Sequence, residues 1–286
     1  KRQGKFRPIA NLKPLNRNVA NSKFKMESVK SVRRWIVKDS FMISLDLSDA
    51  YLSLAVARDR WRFLGLEFEG VDYFYRCLCF GLNAGPRIFT KLLKRVIQYF
   101  RSTLGIWVTF YLDDLLSQCG DPKKLIWQAE ATIANLHLLG FRVNFEKSDL
   151  IPAQRVTYLG FEFDSRSMTV SLPMDKVDKI GAMARRFIER GTISVKELQC
   201  LMGSLESARP AVRVAPLHYR KTQALLVLAT RKKLPMKEVL FLSDPIKDEL
   251  SWWSECLASC RTSPMTDPPA EISFRLDTTT SGRCGW

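Results

Sequence analysis

Ile106-Trp107-Val108-Thr109-Phe110-Tyr111-Leu112-Asp113-Asp114-Leu115-Leu116 sets two adjacent carboxylates inside an otherwise apolar run. Residues 106–111, β-branched and aromatic, read as a buried strand, and Leu115-Leu116 resumes the same character beyond the acids. Two neighbouring anions there repel each other unless a cation or solvent compensates them. A tight β-turn resolves the conflict by carrying Asp113 and Asp114 to a hairpin tip while the apolar flanks stay in the core. Upstream, Phe41-Met42-Ile43-Ser44-Leu45-Asp46 is a second apolar strand ending in an acid, followed by Leu47-Ser48-Asp49-Ala50-Tyr51. If the two strands are neighbours in one sheet, Asp46, Asp113 and Asp114 converge. Oxygen ligands of that kind suit a hard divalent cation such as magnesium, which keeps several waters and takes substrate phosphates as further ligands. Either element alone reads equally as a solvated turn or a strand-ending acid; the two together, in this order, carry the signal.

The chain of 286 residues is 46% hydrophobic, enough for a packed core. It contains no run of about 18 apolar residues, so no membrane span is expected, and its basic start lacks the apolar stretch of a signal peptide. Beginning at Lys1 and ending at Trp286 within an apparent strand, it reads as a fragment of a longer polypeptide. The net charge of +16 is segregated: +10 over residues 1–40, +1 over 41–173, +8 over 174–240 and −3 over 241–286. Two basic lobes around a nearly neutral, acid-bearing centre fit a polyanion gripped at both ends and processed between them. A basic surface serving solubility alone does not require that segregation. Seven cysteines without a Cys-x2-Cys pair, and only two histidines, argue against structural zinc and a disulfide framework, so an intracellular, reduced setting is expected.

Strands are expected at 62–68 and 72–78, joined at Glu69-Gly70-Val71. A helix follows from Pro86, its apolar face marked by Ile88, Phe89, Leu92, Leu93, Val96, Ile97 and Phe100. Its basic face, Arg87, Lys91, Lys94, Arg95 and Arg101, suits either a phosphate backbone or plain solvent. Further helices are expected at 121–139, 174–190, 211–232 and 244–260, with one more opened by the capping box of Ser194 and Glu197. A hairpin is expected from 156–163 and 168–172. Residues 41–173 therefore form an α+β unit, a mainly antiparallel sheet with helices on one face, followed by a small basic helical region.

The order Leu45-Asp46-Leu-Ser-Asp49-Ala50-Tyr51, Phe80-Gly81-Leu-Asn-Ala-Gly-Pro86-Arg-Ile-Phe89, Tyr111-Leu-Asp113-Asp114, Leu139-Gly140-Phe141 to Lys147, and Tyr158-Leu159-Gly160 resembles reverse transcriptases of retroelements. Phrases such as Phe24-Lys-Met-Glu-Ser28 and Pro86-Arg-Ile-Phe-Thr-Lys91 look closest to the DIRS group, retrotransposons that integrate by a tyrosine recombinase. The Tyr-x-Asp-Asp box alone is weak; five boxes in order are specific. The resemblance implies a right-hand polymerase: partial fingers at 1–40, palm at 41–173 with a fingers insertion at about 55–90, and helical thumb at 174–240. A connection at 241–270 and a truncated start of a ribonuclease H-like domain at 271–286 would complete it, the full domain being expected in the parent polypeptide.

Carried over residue by residue, the resemblance implies that Asp46 and Asp113 hold two magnesium ions, with manganese as a substitute. The carbonyl of Leu47 would complete one shell, and Asp114 would be the nearby third acid. Tyr51 would lie under the sugar of the incoming deoxynucleoside triphosphate and exclude a 2′-hydroxyl, with main-chain contacts from Asp49 and Ala50. Phe80 would pack there, and Gly81 would let the chain approach template and primer closely. Lys5 and Arg7 would clamp the triphosphate, although Asn11 stands where relatives often have Asp. Tyr158, Leu159 and Gly160 would grip the primer, and basic thumb helices would track the RNA–DNA hybrid. Lys147 matches a basic position suited to protonating the leaving pyrophosphate, and reads equally as a surface lysine.

One departure stands out. Asp277 matches the first metal ligand of ribonuclease H, but Thr278-Thr279 replace the usual Ala-Ser and the later ligands are absent, so RNA cleavage is not expected. The activity expected is RNA-directed DNA polymerisation from a primer on an RNA or DNA template. Its rivals are an inactive nucleic-acid-binding relic of the same fold, which the retained acids disfavour, and an RNA polymerase, which Tyr51 disfavours.

Overall fold

The computed structural model describes residues 10–20 and 22–266. Lys5, Arg7 and the strand expected at 272–277 lie outside the described residues. The first half runs α1 (Lys13–Asn18), α2 (Val29–Trp35), β1 (Phe41–Ser48), β2 (Gly65–Phe68), β3 (Val71–Phe74), α3 (Gly85–Ser102), β4 (Val108–Tyr111), β5 (Asp114–Cys119) and α4 (Pro122–Leu138). The middle adds β6 (Arg142–Val143), β7 (Asp149–Ala153), β8 (Arg155–Tyr158), β9 (Phe161–Asp164) and β10 (Thr169–Ser171). The remainder is α5 (Met174–Arg190), β11 (Thr192–Ser194), α6 (Val195–Ala208), α7 (Arg220–Arg231), β12 (Val239–Phe241), α8 (Asp244–Glu255), α9 (Leu257–Cys260) and β13 (Thr262–Pro264).

β1 is the spine of an antiparallel sheet of order β4-β5-β1-β6, with β7 also paired to β1. Its period-two pattern dictates this position. Ile43, Leu45 and Leu47 are buried on one face against Phe89, Leu93 and Ile97 of α3 and Leu125 and Ala129 of α4. Met42, on the opposite face, joins Leu116 in a second core that continues through Tyr158, Phe161 and Phe163 into α5, α6 and α8. α3 and α4 thus share one face of the sheet, as expected. The other face receives a second sheet, β13-β10-β9-β8, and beyond it the helices.

Several boundaries differ from the sequence expectation. Ile88 and Leu92 are 42% exposed, because the buried stripe of α3 is the narrower set Phe89, Leu93, Ile97 and Phe100. On the basic face Arg101 is spoken for: its Nε donates to the Val108 carbonyl at 2.8 Å. Residues 62 and 63 belong to a 3-10 turn, Arg58–Phe63, held by Trp61 Nε1 donating to Val56 O at 2.8 Å, so the hairpin begins only at Gly65. Its second strand ends at Phe74, and Cys77 makes a single bridge to Ala55. The helix expected at 211–232 divides into a 3-10 turn, Ala215–His218, and α7, since Pro216 has no N–H to continue a ladder and Tyr219 is extended in φ at −145°. The helix expected at 244–260 breaks at Cys256 into α8 and α9.

The helical lobe closes around Trp253, which is fully buried and donates its indole N–H to the His218 carbonyl at 2.7 Å. Glu249 of α8 accepts from the N–H groups of Lys221 and Thr222 at 2.8 and 2.9 Å and from the Thr222 hydroxyl at 2.8 Å. A buried carboxylate thereby satisfies the orphan donors at the start of α7, where its charge also meets the positive end of the helix dipole. The expected capping box at α6 is present: Ser194 and Glu197 exchange hydrogen bonds, and Arg190 pairs with Glu197.

Candidate active site

The register of β1 against β5 sets Asp46 opposite Asp114, and the β4–β5 hairpin closes with Tyr111 opposite Asp114. Leu112 adopts φ +52° in the connecting turn, a left-handed conformation that costs a residue with a Cβ on the order of 1 kcal/mol. The Asp113 carbonyl then accepts from Leu47 N–H at 2.8 Å, tying the turn to β1. From the other side Asn144 N–H donates to the Asp46 carbonyl at 2.8 Å. Ser148 Oγ accepts from Asp46 N–H at 3.0 Å and donates to the Asn144 carbonyl at 2.8 Å. The main chain around Asp46 is therefore braced by both neighbours, while its side chain is left to face a cavity.

That cavity, about 390 Å³, is lined by Asp46, Leu47, Asp49, Ala50, Tyr51, Phe80, Asp113 and Lys147, together with Ser48, Phe89, Leu112 and Asn144. A neighbouring cavity of about 300 Å³ is lined by Asp46, Asp114, Lys147, Tyr158, Leu159 and Gly160, among others. Asp46 and Lys147 stand in the wall of both. The Lys147 ammonium lies 3.3 Å from each Asp46 oxygen, supplying the positive charge that this acid needs.

The acids are not equivalent. Burial, then the charges of Asp113 and Asp46, push Asp114 up to about 6, with Lys147 opposing. Tyr51 packs edge-to-face on Phe80 (5.2 Å) and Phe89 (5.4 Å), and burial followed by Asp113 and Tyr111 raises its phenol, keeping the ring neutral and fixed. Asp49 takes a left-handed conformation at the start of the 3-10 turn that carries Tyr51. Tyr158 donates its hydroxyl to the Asp114 carbonyl at 3.0 Å, and burial raises that phenol strongly.

Gly81 stands behind the first cavity rather than in its wall. A Cβ there would make only ordinary contacts, the nearest at 3.8 Å, so φ +95° rather than lack of space requires glycine. Asn16 holds this loop, donating to Gly81 O at 2.8 Å and accepting from Asn83 N–H at 2.9 Å. Asn16, Asn144 and Ser148 are the braces that sequence reasoning missed. The turn-forming Asn144 and Ser148 on either side of Lys147 were the available signal.

Among the described residues no three carboxylate, thiolate or imidazole groups form a ready-made metal cage. The donor set fits a different arrangement. Magnesium is typically bound by one or two carboxylates plus waters and substrate phosphates, and Asp46, Asp113 and Leu47 share one cavity wall. Asp114 is raised first by burial and then by the charges of Asp113 and Asp46, against the opposing Lys147.

Residues 1–163 match the family described as reverse transcriptase (RNA-dependent DNA polymerase). The chain belongs to the reverse transcriptase family. It is 24% identical over 148 residues to Protein P of heron hepatitis B virus, covering 52% of this chain and 19% of that protein. It is 26% identical over 116 residues to the Gag-Pol polyprotein of walleye dermal sarcoma virus, 41% of this chain and 7% of that one. Among solved structures, a foamy viral protease-reverse transcriptase in complex with dsDNA superposes with a TM-score of 0.71 at 18% identity, over 95% of this chain and 52% of that one. The foamy viral enzyme in complex with RNA/DNA hybrid gives 0.63 at 19% identity, over 81% and 29%. These likenesses establish the polymerase fold of this reverse transcriptase-family chain, which spans about a fifth or less of the length of the curated relatives it matches.

Proposed function

We propose that this chain performs RNA-directed DNA synthesis, adding deoxynucleotides to a primer 3′-hydroxyl. The observation that carries the reading is the convergence of Asp46 and Asp113 in one cavity wall with Tyr51, while Asp114 opens onto the adjoining cavity. Two divalent cations, magnesium or manganese, would stabilise the attacking and leaving oxygens of an in-line displacement. Asp46, Asp113 and the Leu47 carbonyl would hold them. Lys147 pairs with Asp46 and would neutralise the triphosphate or protonate the leaving pyrophosphate. Tyr51, locked by Phe80 and Phe89, would form the flat wall that rejects a 2′-hydroxyl, with Asp49 and Ala50 beside the same sugar.

The primer end would occupy the second cavity, between Asp114 and the turn Tyr158-Leu159-Gly160. On the resemblance alone, Lys5 and Arg7 would clamp the triphosphate. We read 1–40 as partial fingers, 41–173 as palm and 174–240 as thumb, the basic helices of the last tracking the hybrid. The foamy viral complexes with dsDNA and RNA/DNA hybrid support such partners. The phrases at 24–28 and 86–91 support placing the parent element in the DIRS group, and a tyrosine recombinase gene in the same element would test that.

Primer extension on an RNA template with magnesium and deoxynucleotides tests the activity, run beside Asp113→Asn and a ribonucleotide control. Deoxynucleotide-specific extension abolished by the substitution is expected. Salt-sensitive hybrid binding without extension would instead identify an inactive relic of the fold.

A further inference from the structure

The turn between β8 and β9 is held by a residue outside both cavities. Leu159 and Gly160 both have positive φ, +49° and +73°, the type I′ pattern that joins two strands tightly. Lys176, in the first turn of α5, donates to the Gly160 carbonyl at 2.7 Å, and its ammonium stands 5.3 Å from the centre of the Phe161 ring. A Cβ added to Gly160 would run into that ammonium, so glycine leaves the space the lysine head fills. The ammonium has no carboxylate partner among the described residues; the carbonyl and the ring face are what fix it. On the other side of the same turn Tyr158 donates to the Asp114 carbonyl across 44 positions of sequence.

These contacts form one continuous path: Lys176 to Gly160, through the two-residue turn to Tyr158, and from Tyr158 to the main chain of Asp114. Phe161 and Tyr158 lie in the core shared with Val177 and Ile180 of α5, so the hairpin and the helix pack as well as hydrogen-bond. We propose that Lys176 is a positioning residue: it couples α5 to the β8–β9 turn and through Tyr158 to the Asp114 strand, so that the placement of the helical lobe sets the wall of the cavity beside the acids. This rests on the polymerase reading for its kinetic consequence, though not for the linkage itself. A displacement of about 1 Å at such a wall is enough to cost a reaction tenfold or more.

Lys176→Met keeps the stem of the side chain and removes the donor; Lys176→Arg keeps a donor. Hydrogen exchange on the chain alone reads the linkage without any reaction. Lys176→Met is expected to speed exchange within 157–162 and also within 112–116, with the melting temperature little changed and Lys176→Arg largely restoring protection. Faster exchange confined to 157–162 would overturn the coupling, even if the turn itself loosens. In primer extension Lys176→Met is expected to lower kcat about tenfold while hybrid affinity and its salt dependence hold, and combining it with Tyr158→Phe should add little. Fully multiplicative losses would overturn the shared path. If wild type fails to extend, the polymerase reading falls and the exchange experiment still decides the linkage.

Discussion

Two carboxylates in this molecule titrate in opposite directions. Asp114, half-buried beside two other acids, is pushed up to about 6, whereas Glu197 at the start of α6 is drawn down to about 2 by Arg190, the Ser194 N–H and the Ser194 hydroxyl. The helical lobe places Glu197 and Glu249 where donors converge, and Glu249 with its three donors is the buried extreme. The central sheet does the reverse: it gathers three acids around one lysine, beside a turn whose Leu112 is itself in a costly conformation. Folding gains nothing from that arrangement, so it marks the part of the chain shaped by something other than stability.

Asp46, the acid common to both cavities, carries the largest expected effect. Asp46→Asn is expected to lower primer extension by about a thousandfold or more with the fold intact, read as kcat beside circular dichroism. In the helical lobe the cost should fall on stability instead. Glu249→Ala strands two backbone N–H groups and a hydroxyl, and should lower the urea-unfolding free energy by about 3 kcal/mol.

Asp114→Asn should have the opposite sign. Its folded pKa of about 6 lies above 3.8, so its favourable contribution is full below pH 3.8 and lost as pH rises through 6. The asparagine variant should therefore be the more stable by about 1 kcal/mol at pH 7.5 in metal-free buffer, after discounting for partial exposure, and the gain should vanish by pH 4. A gain that persists at pH 4 would point to packing instead of charge. Glu197→Gln completes the contrast with the smallest effect. The wild-type advantage, present above pH 4.5 and lost as pH falls through about 2, should be near 0.5 kcal/mol at pH 7 because the pair is partly exposed.

The strands carrying the acids were legible because their signals are local: alternation in β1, the apolar flanks of β4 and β5, and a turn between them. α3, α4 and α5 were legible for the same reason, though the stripe of α3 was read too wide, at Ile88 and Leu92. β6 and β7 were not. β6 is two residues long, a strand only because Leu47 and Ser48 offer it an edge, and β7 carries Pro152 and pairs with β1 in a shifted register. Pro216 was a local breaker within 211–232, but the place where α7 starts was hidden, since that start is completed by Glu249, a residue 27 positions away from Thr222.

Strand-ending acids, apolar faces and turn positions were written along the chain itself, because these follow from side-chain period and local backbone preference. Tertiary structure alone decided that Asp46 pairs with Lys147 101 positions later, that Asn144 and Ser148 brace its main chain, and that Tyr158 reaches Asp114. Those partners are chosen by antiparallel register and by the packing of the two cores, and neither leaves a periodic trace in the chain.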